Sequence, residues 1–300
     1  MKRVSVIVPT YNRTTFISRA LDSILAQDYP DIEIVVVDDN GIGTDNQLST
    51  ERTLKKYINN NQIIYLKNTN NVGGAIARNN GIIASSGDYI TFLDDDDVYL
   101  PGKISVQVNA IEANNLDLCV MDGETYNNKG ECLSHKIQPI NNGMSKEQLL
   151  KAHITKHITG TNVFMYKREA IFEIGLFDQI SAGQEFMLML KSITNGLKIG
   201  VIHEVYVHFH MDGQQRISTN INKVEGLKNV YNEKKKYFGL LSHDEKAFVR
   251  SKHHGTLFYM YYINSFYGKA AVELVLAVLS SPKYSWETYQ ERKGKFKVRF

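Results

Sequence analysis

Residues 87–97 read Gly87-Asp88-Tyr89-Ile90-Thr91-Phe92-Leu93-Asp94-Asp95-Asp96-Asp97. An apolar, β-prone run ends abruptly in four carboxylates. The pattern predicts a buried strand over 88–93 that delivers an acidic turn to its carboxyl end. Working back from it, residues 73–85 read as a helix, 62–66 as a short strand and 48–58 as a helix. Residues 32–37 are apolar nearly throughout, as in a strand covered on both faces. A polar turn, 38–45, follows them. Before that, Thr14 or Thr15 is placed to cap a helix whose stripe is Phe16, Ile17, Ala20, Leu21, Ile24 and Leu25. Val4-Ser5-Val6-Ile7-Val8 forms the first strand, closed by Pro9. Strand–helix repetition of this kind predicts an α/β fold with a mostly parallel, doubly wound sheet.

Beyond Pro101 the rhythm loosens. Helices are expected over 103–113, 146–153, 168–174 and 185–194, and strands over 116–121, 161–166 and 198–209. Residues 127–142, rich in Asn and Gly, read as a loop or hairpin. After Ser218 the pattern is helical, with an aromatic stretch from Phe258 to Tyr267. The charge changes at the same place. Residues 220–300 hold 15 Lys and Arg against 7 Asp and Glu, a net +8, whereas 1–219 hold 20 against 25, a net −5. The expected division is therefore 1–219 as an α/β domain and 220–300 as a basic helical region.

Composition narrows the class. With 300 residues, 43% hydrophobic and 22% charged, the chain can bury a large core. Cys119 and Cys132 are its only cysteines, too few for a disulfide scaffold or a four-cysteine zinc site. No apolar run reaches the ~18 residues of a membrane span. The basic start, Met1-Lys2-Arg3, precedes an apolar stretch too short for a signal peptide. The expectation is a cytoplasmic protein.

In open α/β sheets ligands bind beyond the carboxyl ends of the strands. At those ends this sequence places Pro9-Thr10-Tyr11-Asn12-Arg13, Asp38-Asp39-Asn40-Gly41 and Asp94-Asp95-Asp96-Asp97. Four adjacent carboxylates repel one another, and a divalent cation relieves that cost. Hard oxygen donors suit Mg²⁺ or Mn²⁺ shared with substrate phosphates. A solvated acidic turn or a weak calcium loop is the bland alternative, and the EF-hand spacing is absent. A G-x-x-x-x-G-K-[ST] loop is missing, and no G-x-G-x-x-G follows the first strand, so neither an NTPase nor a dinucleotide dehydrogenase is supported.

Taken together, Val4–Arg13, Ile34–Asp39, Asn71–Ile82 with its Gly73-Gly74-Ala75-Ile76-Ala77-Arg78-Asn79 core, and Gly87–Asp97 resemble glycosyltransferase family 2, the GT-A fold. The likeness spans roughly residues 1–215 and is densest before 101. It implies an inverting, metal-dependent transfer from a nucleotide-diphospho-sugar, typically a UDP-sugar, to a glycan or lipid-linked hydroxyl, as in bacterial cell-surface polysaccharide synthesis. By the same resemblance Pro9, Tyr11 and Arg13 line the nucleotide pocket, Asp39 contacts the base, and Arg78 lies near the nucleotide and its phosphates. Asp96 is the implied metal ligand, with Asp94 or Asp95 near the ribose and sugar. In the family an acidic pair follows a Gly-x-Phe-Asp segment. Here Gly175-Leu176-Phe177-Asp178 is followed by Gln184-Glu185, a departure that leaves Glu185 as the implied general base and Asp178 as a structural backup. His210, sharing a strand face with His208, is implied to reach the metal or diphosphate, and Arg216 to reach the diphosphate when its loop closes.

Three further readings are carried forward. His153 and His157, four apart, lack a third zinc ligand and are read as structural or acceptor-side. The apolar stretch 256–281 is a packed helical pair, a homodimer contact, or a peripheral membrane element beside Lys293, Lys295, Lys297 and Arg299. Against the transferase stand a nucleotidyltransferase-like enzyme, disfavoured by a first loop poor in glycine, and a non-catalytic sugar-nucleotide-binding module, for which Gln184 is the best argument.

Overall fold

The computed structural model describes residues 2–211 and 220–296, with the side chains of 291–296 left aside. Arg216, Lys297 and Arg299 therefore lie outside the described residues, as do the side chains of Lys293 and Lys295. By contacts the chain divides into two compact units. The first comprises Met1–Lys146, Ile158–Gln179 and Gln184–Gln214; the second comprises Glu147–His157, Ile180–Gly183 and Gln215–Phe300.

The first unit is built on one sheet. Its amino-terminal half runs β1 (Val4–Thr10), α1 (Ile17–Leu25), β2 (Ile32–Asp38), α2 (Asp45–Asn59), β3 (Ile64–Lys67), α3 (Gly74–Ala84) and β4 (Tyr89–Phe92). These four strands lie parallel in the order β3-β2-β1-β4. Val6, Ile7 and Val8 of β1 and Val35, Val36 and Val37 of β2 are fully buried, which accounts for their unbroken apolar sequence. Gly81 of α3 lies so close to β1 that a Cβ there would sit 2.5 Å from Ile7 Cγ2. Only glycine allows that approach, which brings the start of α3 to the sheet rim.

The other half is mixed rather than parallel. It contains β5 (Val98–Tyr99), α4 (Lys103–Asn114), β6 (Leu118–Asn127), β7 (Cys132–Lys136), β8 (Phe164–Lys167), α6 (Arg168–Glu173), α7 (Gln184–Thr194) and β9 (Ile199–Met211); α5 (Lys146–Lys156) falls largely in the second unit. The order continues β4-β8-β6-β9-β5, with β7 hairpinned onto β6. β8 runs antiparallel to β4 and β6, and β9 parallel to β6. The strand expected to stop at 121 runs on to Asn127 because β9 pairs with it that far. The Asn-rich segment thus begins as a hairpin.

Two local expectations are corrected. Neither Thr14 nor Thr15 caps α1. The cap is Phe16, whose backbone is already helical (φ −106°, ψ −18°) and which offers no side-chain acceptor. Residues 161–163 form a 3₁₀ turn and only Phe164 onward is strand.

The second unit adds α8 (Lys223–Lys236), α9 (His243–Ile263), α10 (Tyr267–Ser280) and α11 (Pro282–Phe296) to α5. Ser242 and Glu245 form a capping box at the start of α9. The aromatic stretch is broken at Ser265 (φ +66°), which turns α9 back into α10. Val224, Leu257, Met260, Tyr261 and Ala270 form this unit's core. His153 is fully buried, and His157 Nε2 lies 2.5 Å from Lys234 Nζ. No helix among the described residues is long and apolar enough to cross a membrane.

Candidate active site

The rim is assembled by register. Thr10 at the end of β1 stands opposite Asp38 at the end of β2, and Asp39 N–H donates to Thr10 C=O at 2.9 Å. On the other side of β1, Leu93 N–H donates to Ile7 C=O at 3.1 Å, so the aspartates emerge beside Thr10. Pro9 stands opposite Val37, Thr10 after it is still buried, and Tyr11 beyond the strand is exposed. Asn12 takes a left-handed conformation (φ +57°), its N–H donating to Asn40 Oδ1 at 2.7 Å. That kink brings Arg13 to the acidic turn.

The four aspartates sort into two pairs. Asp95 and Asp97 point inward and are each 5% exposed. Thr10 Oγ1 donates to Asp95 at 2.7 Å. Asn162 Nδ2 (2.5 Å) and the His210 backbone N–H (2.8 Å) donate to Asp97. Burial pushes the Asp95 carboxyl up to about 7 despite the Thr10 hydroxyl, and pushes Asp97 well above the usual range, with Asp94 and Asp96 adding to it. Asp94 and Asp96 instead turn outward, each held by a guanidinium. Arg78 Nη2 lies 2.5 Å from Asp94 Oδ1, and Arg13 Nη1 pairs with Asp96 Oδ2. Arg13 also lies 3.7 Å from Asp95, and Arg19 Nη2 donates to the Asp96 carbonyl at 2.6 Å.

This arrangement passes a simple test of fit for a divalent cation. The two outward carboxylates are the first and third of the run, supply hard oxygen donors, and are partly exposed. The inward pair is less accessible, with both carboxylates buried, Asp97 accepting through both oxygens and Asp95 through one. Asp94 and Asp96 are thus the residues that could hold Mg²⁺ or Mn²⁺. His210 is brought to the same turn by its backbone bond to Asp97. His208 and His210 share a face as expected, their rings 4.4 and 6.4 Å from that of Tyr126.

Asp39 organises the segment before α3. Its Oδ1 accepts from Asn68 Nδ2 (2.8 Å) and Val72 N–H (2.9 Å), and its Oδ2 from Asn71 Nδ2 (3.0 Å) and Gly73 N–H (2.9 Å). Gly73 has φ +85°, a conformation costly for other residues. Arg78, one turn into α3, lies with its guanidinium 5.8 Å from the Phe177 ring centre; its Nη1 donates to Gln184 Oε1 at 3.4 Å. Gln184 opens α7, so this contact carries α7 to the rim. Glu185 in the same first turn is half-buried, and its carboxylate makes no hydrogen bond or ion pair among the described residues. Asp178 is instead paired with Lys191 at 2.8 Å, which leaves it a structural role.

Several contributors escaped sequence reading. Asn162 donates to Asp97 and accepts from the Asp94 N–H at 3.1 Å, locking both ends of the acidic turn. Lys103 is fully buried, with Nζ donating to Thr91 Oγ1 at 2.5 Å and lying 4.1 Å from the Tyr99 ring centre. No local signal marks Asn162. A lysine among the apolar residues of α4 could have drawn notice.

The profile of the family described as "Glycosyl transferase family 2" matches residues 5–175. The chain is 30% identical over 227 residues to the GalNAc(5)-diNAcBac-PP-undecaprenol beta-1,3-glucosyltransferase of Campylobacter jejuni, covering 74% of this chain and 69% of that protein. Among solved structures it resembles S. aureus TarS 1-349 in complex with UDP-GlcNAc (TM-score 0.63, 17% identity, 99% of this chain and 93% of that one). It also resembles the mannosyltransferase PcManGT from Pyrobaculum calidifontis in complex with GDP-Man and Mn²⁺ (TM-score 0.60, 18% identity, 99% and 81%). At such identities these structures speak for the fold, which is the expected GT-A arrangement followed by helices.

Proposed function

The chain belongs to glycosyl transferase family 2 and is a glycosyltransferase, and from that premise we propose that it transfers a sugar, with inversion, from a UDP-sugar to a hydroxyl of a glycan or lipid-linked acceptor. The observation that carries the reading is the sorting of the acidic turn: two carboxylates buried on uncharged donors, two turned outward onto Arg13 and Arg78. A divalent ion, Mn²⁺ or Mg²⁺, held by Asp96 and Asp94 with His210 adjoining, would supply charge neutralisation to the donor diphosphate.

The chain's own groups do the rest. Arg13 and Arg78 exchange carboxylate for phosphate oxygens when donor binds. A guanidinium suits both partners, and the outward carboxylates are then available to the cation. Pro9, Tyr11 and Asp39 border the nucleoside, Asp39 through the segment it organises, and Asp95 stays buried as support. Glu185 takes the proton from the acceptor hydroxyl. The acceptor oxygen bonds to the anomeric carbon as the bond from that carbon to the diphosphate oxygen breaks on the opposite face, and the nucleoside diphosphate leaves with the electron pair. The absence of any partner for Glu185 among the described residues supports this role, since a base must be reachable. Arg216 completes the proposal as a diphosphate contact. Family membership leaves the nucleotidyltransferase and non-catalytic alternatives without support.

The same proposal puts the acceptor at a membrane surface, and the helical unit supports that reading. α10 packs onto α9 through Ala270 and Ala277, and His254 meets Glu273 at 2.7 Å. Its opposite side carries Val272, Val275 and Leu279, 59%, 56% and 77% exposed. Exposed Trp286 and Tyr289 follow on α11, and residues 267–300 hold seven Lys and Arg against three Asp and Glu, a net +4. Apolar face, aromatic pair and basic charge together match an anionic lipid interface. A helix of 14 residues is ~21 Å long. One face of it offers on the order of 300 Å², less than the ~800 Å² per partner of a standard protein interface, so a homodimer through α10 alone is disfavoured. The protein thus works as a peripheral protein at the inner face of the cell membrane, on a cell-surface glycan precursor. Transfer assays with UDP- and GDP-sugars on a lipid-pyrophosphate-linked acceptor test this directly. Product from a UDP-sugar, dependent on Mn²⁺ or Mg²⁺, is expected; turnover insensitive to chelation would refute the mechanism.

A further inference from the structure

A second group of donor atoms lies on the β6–β7 hairpin. Glu124 of β6 pairs in register with His135 of β7 and with His208 of β9, so three strands bring these residues side by side. Cys132 joins them through a β-bulge. Ser134 stands opposite Thr125, but Cys132, not Leu133, stands opposite Tyr126. The extra residue shifts the alternation and turns Cys132 to the face that His135 occupies. One ligand atom each from Glu124, Cys132 and His135 lies within 4.8 Å of the other two, and Glu124 Oε1 is 2.8 Å from His135 Nδ1. The other oxygen, Oε2, accepts from Tyr126 O–H at 2.8 Å and lies 3.6 Å from His208 Nε2. One carboxylate oxygen thus meets the histidine while the other is held by Tyr126 and faces His208, the division of labour seen where outer groups orient a metal ligand.

We propose that Glu124, Cys132 and His135 form a binding site for Zn²⁺, distinct from the acidic rim, with solvent in the fourth position and Tyr126 and His208 orienting Glu124. Thiolate, imidazole and carboxylate are each zinc ligands, three of them plus solvent complete a tetrahedron, and Zn–N, Zn–O and Zn–S bonds of about 2.0–2.3 Å fit donors this close after small rotations of exposed side chains. The rim offers only hard oxygen donors and one imidazole, so the two sites differ in preference: the hairpin selects a softer ion than Mg²⁺ or Mn²⁺.

Cobalt(II) is the probe, because thiolate-to-cobalt charge transfer absorbs in the near ultraviolet and reports the cysteine alone. Full-length protein, kept reduced with a phosphine, is titrated with Co²⁺. The expected result is a charge-transfer band saturating at one Co²⁺ per chain and lost when Zn²⁺ is added. Cys132→Ser abolishes the band, Glu124→Gln and His135→Asn weaken binding at least tenfold, and Asp96→Asn leaves the band intact. All the replaced hairpin groups are partly or fully exposed, and thermal melts confirm folding of each variant. No band at saturating Co²⁺, a band that survives Cys132→Ser, or saturation at half a Co²⁺ per chain through a thiolate shared between two molecules would each overturn the proposal.

Discussion

Arg78 and Gln184 meet across more than a hundred residues of sequence, Nη1 donating to Oε1 at 3.4 Å while Nη2 holds Asp94 at 2.5 Å. An uncharged partner at 184 leaves the guanidinium's charge to Asp94. Gln184→Glu would set a second carboxylate against Arg78 and repel Asp94. A competing ion pair of about 1 kcal/mol corresponds to roughly fivefold. The donor KM is expected to rise by about that factor with kcat nearly unchanged, as steady-state kinetics with varied donor will show.

Glu185→Gln keeps the shape and removes the base. General-base catalysis contributes about 10²–10⁴. The variant is expected to lose kcat by that order while UDP binding, measured by thermal shift, stays at the wild-type level. Undiminished kcat would move the base elsewhere, since Asp178 is occupied by Lys191.

In the helical unit burial lowers the Lys234 ammonium to about 7, with Lys252 adding to it, and its amine meets His157. The unfolded chain keeps the ordinary value near 10.5. Between these values the unfolded state binds the extra proton, so this residue makes stability rise with pH from about 7 to 10.5, with its full cost below 7. Lys234→Met is expected to flatten that rise, read from urea melts at pH 7, 8.5 and 10. An unaltered slope would place the ammonium in a better-solvated position.

For α10, Leu279→Glu replaces an exposed side chain and leaves Ala270 and Ala277 in place. Wild-type protein is expected to sediment with vesicles containing phosphatidylglycerol but not with phosphatidylcholine alone, and the variant with neither. A dimer in light scattering that Leu279→Glu dissolves, without vesicle binding, would assign the face to a second copy.

Legibility from sequence followed how local each cause is. The parallel half could be read because β1 and β2 are covered on both faces and so are apolar nearly throughout. The acidic turn could be read because four adjacent like charges at the end of a buried strand repel one another unless solvent or a cation offsets them. Which aspartates face outward could not: Asn162, some 65 residues downstream, decides it for Asp97, and Thr10 for Asp95. Thr14 and Thr15 suggested a cap by residue type, but the chain is already helical at Phe16, so no capping geometry arises. The mixed half eluded the strand–helix rhythm because β8 inserts between β4 and β6 through pairings distant in sequence.

The central claim is that the outward carboxylates of the acidic turn, Asp96 foremost, hold a cation that in turn holds the donor's diphosphate. Calorimetric titration of UDP into the protein with and without Mn²⁺, repeated on Asp96→Asn, tests it most directly. The account predicts at least tenfold tighter UDP binding with Mn²⁺ and loss of that gain in the variant. Equal affinity with and without the metal, or a gain that persists in Asp96→Asn, would contradict it.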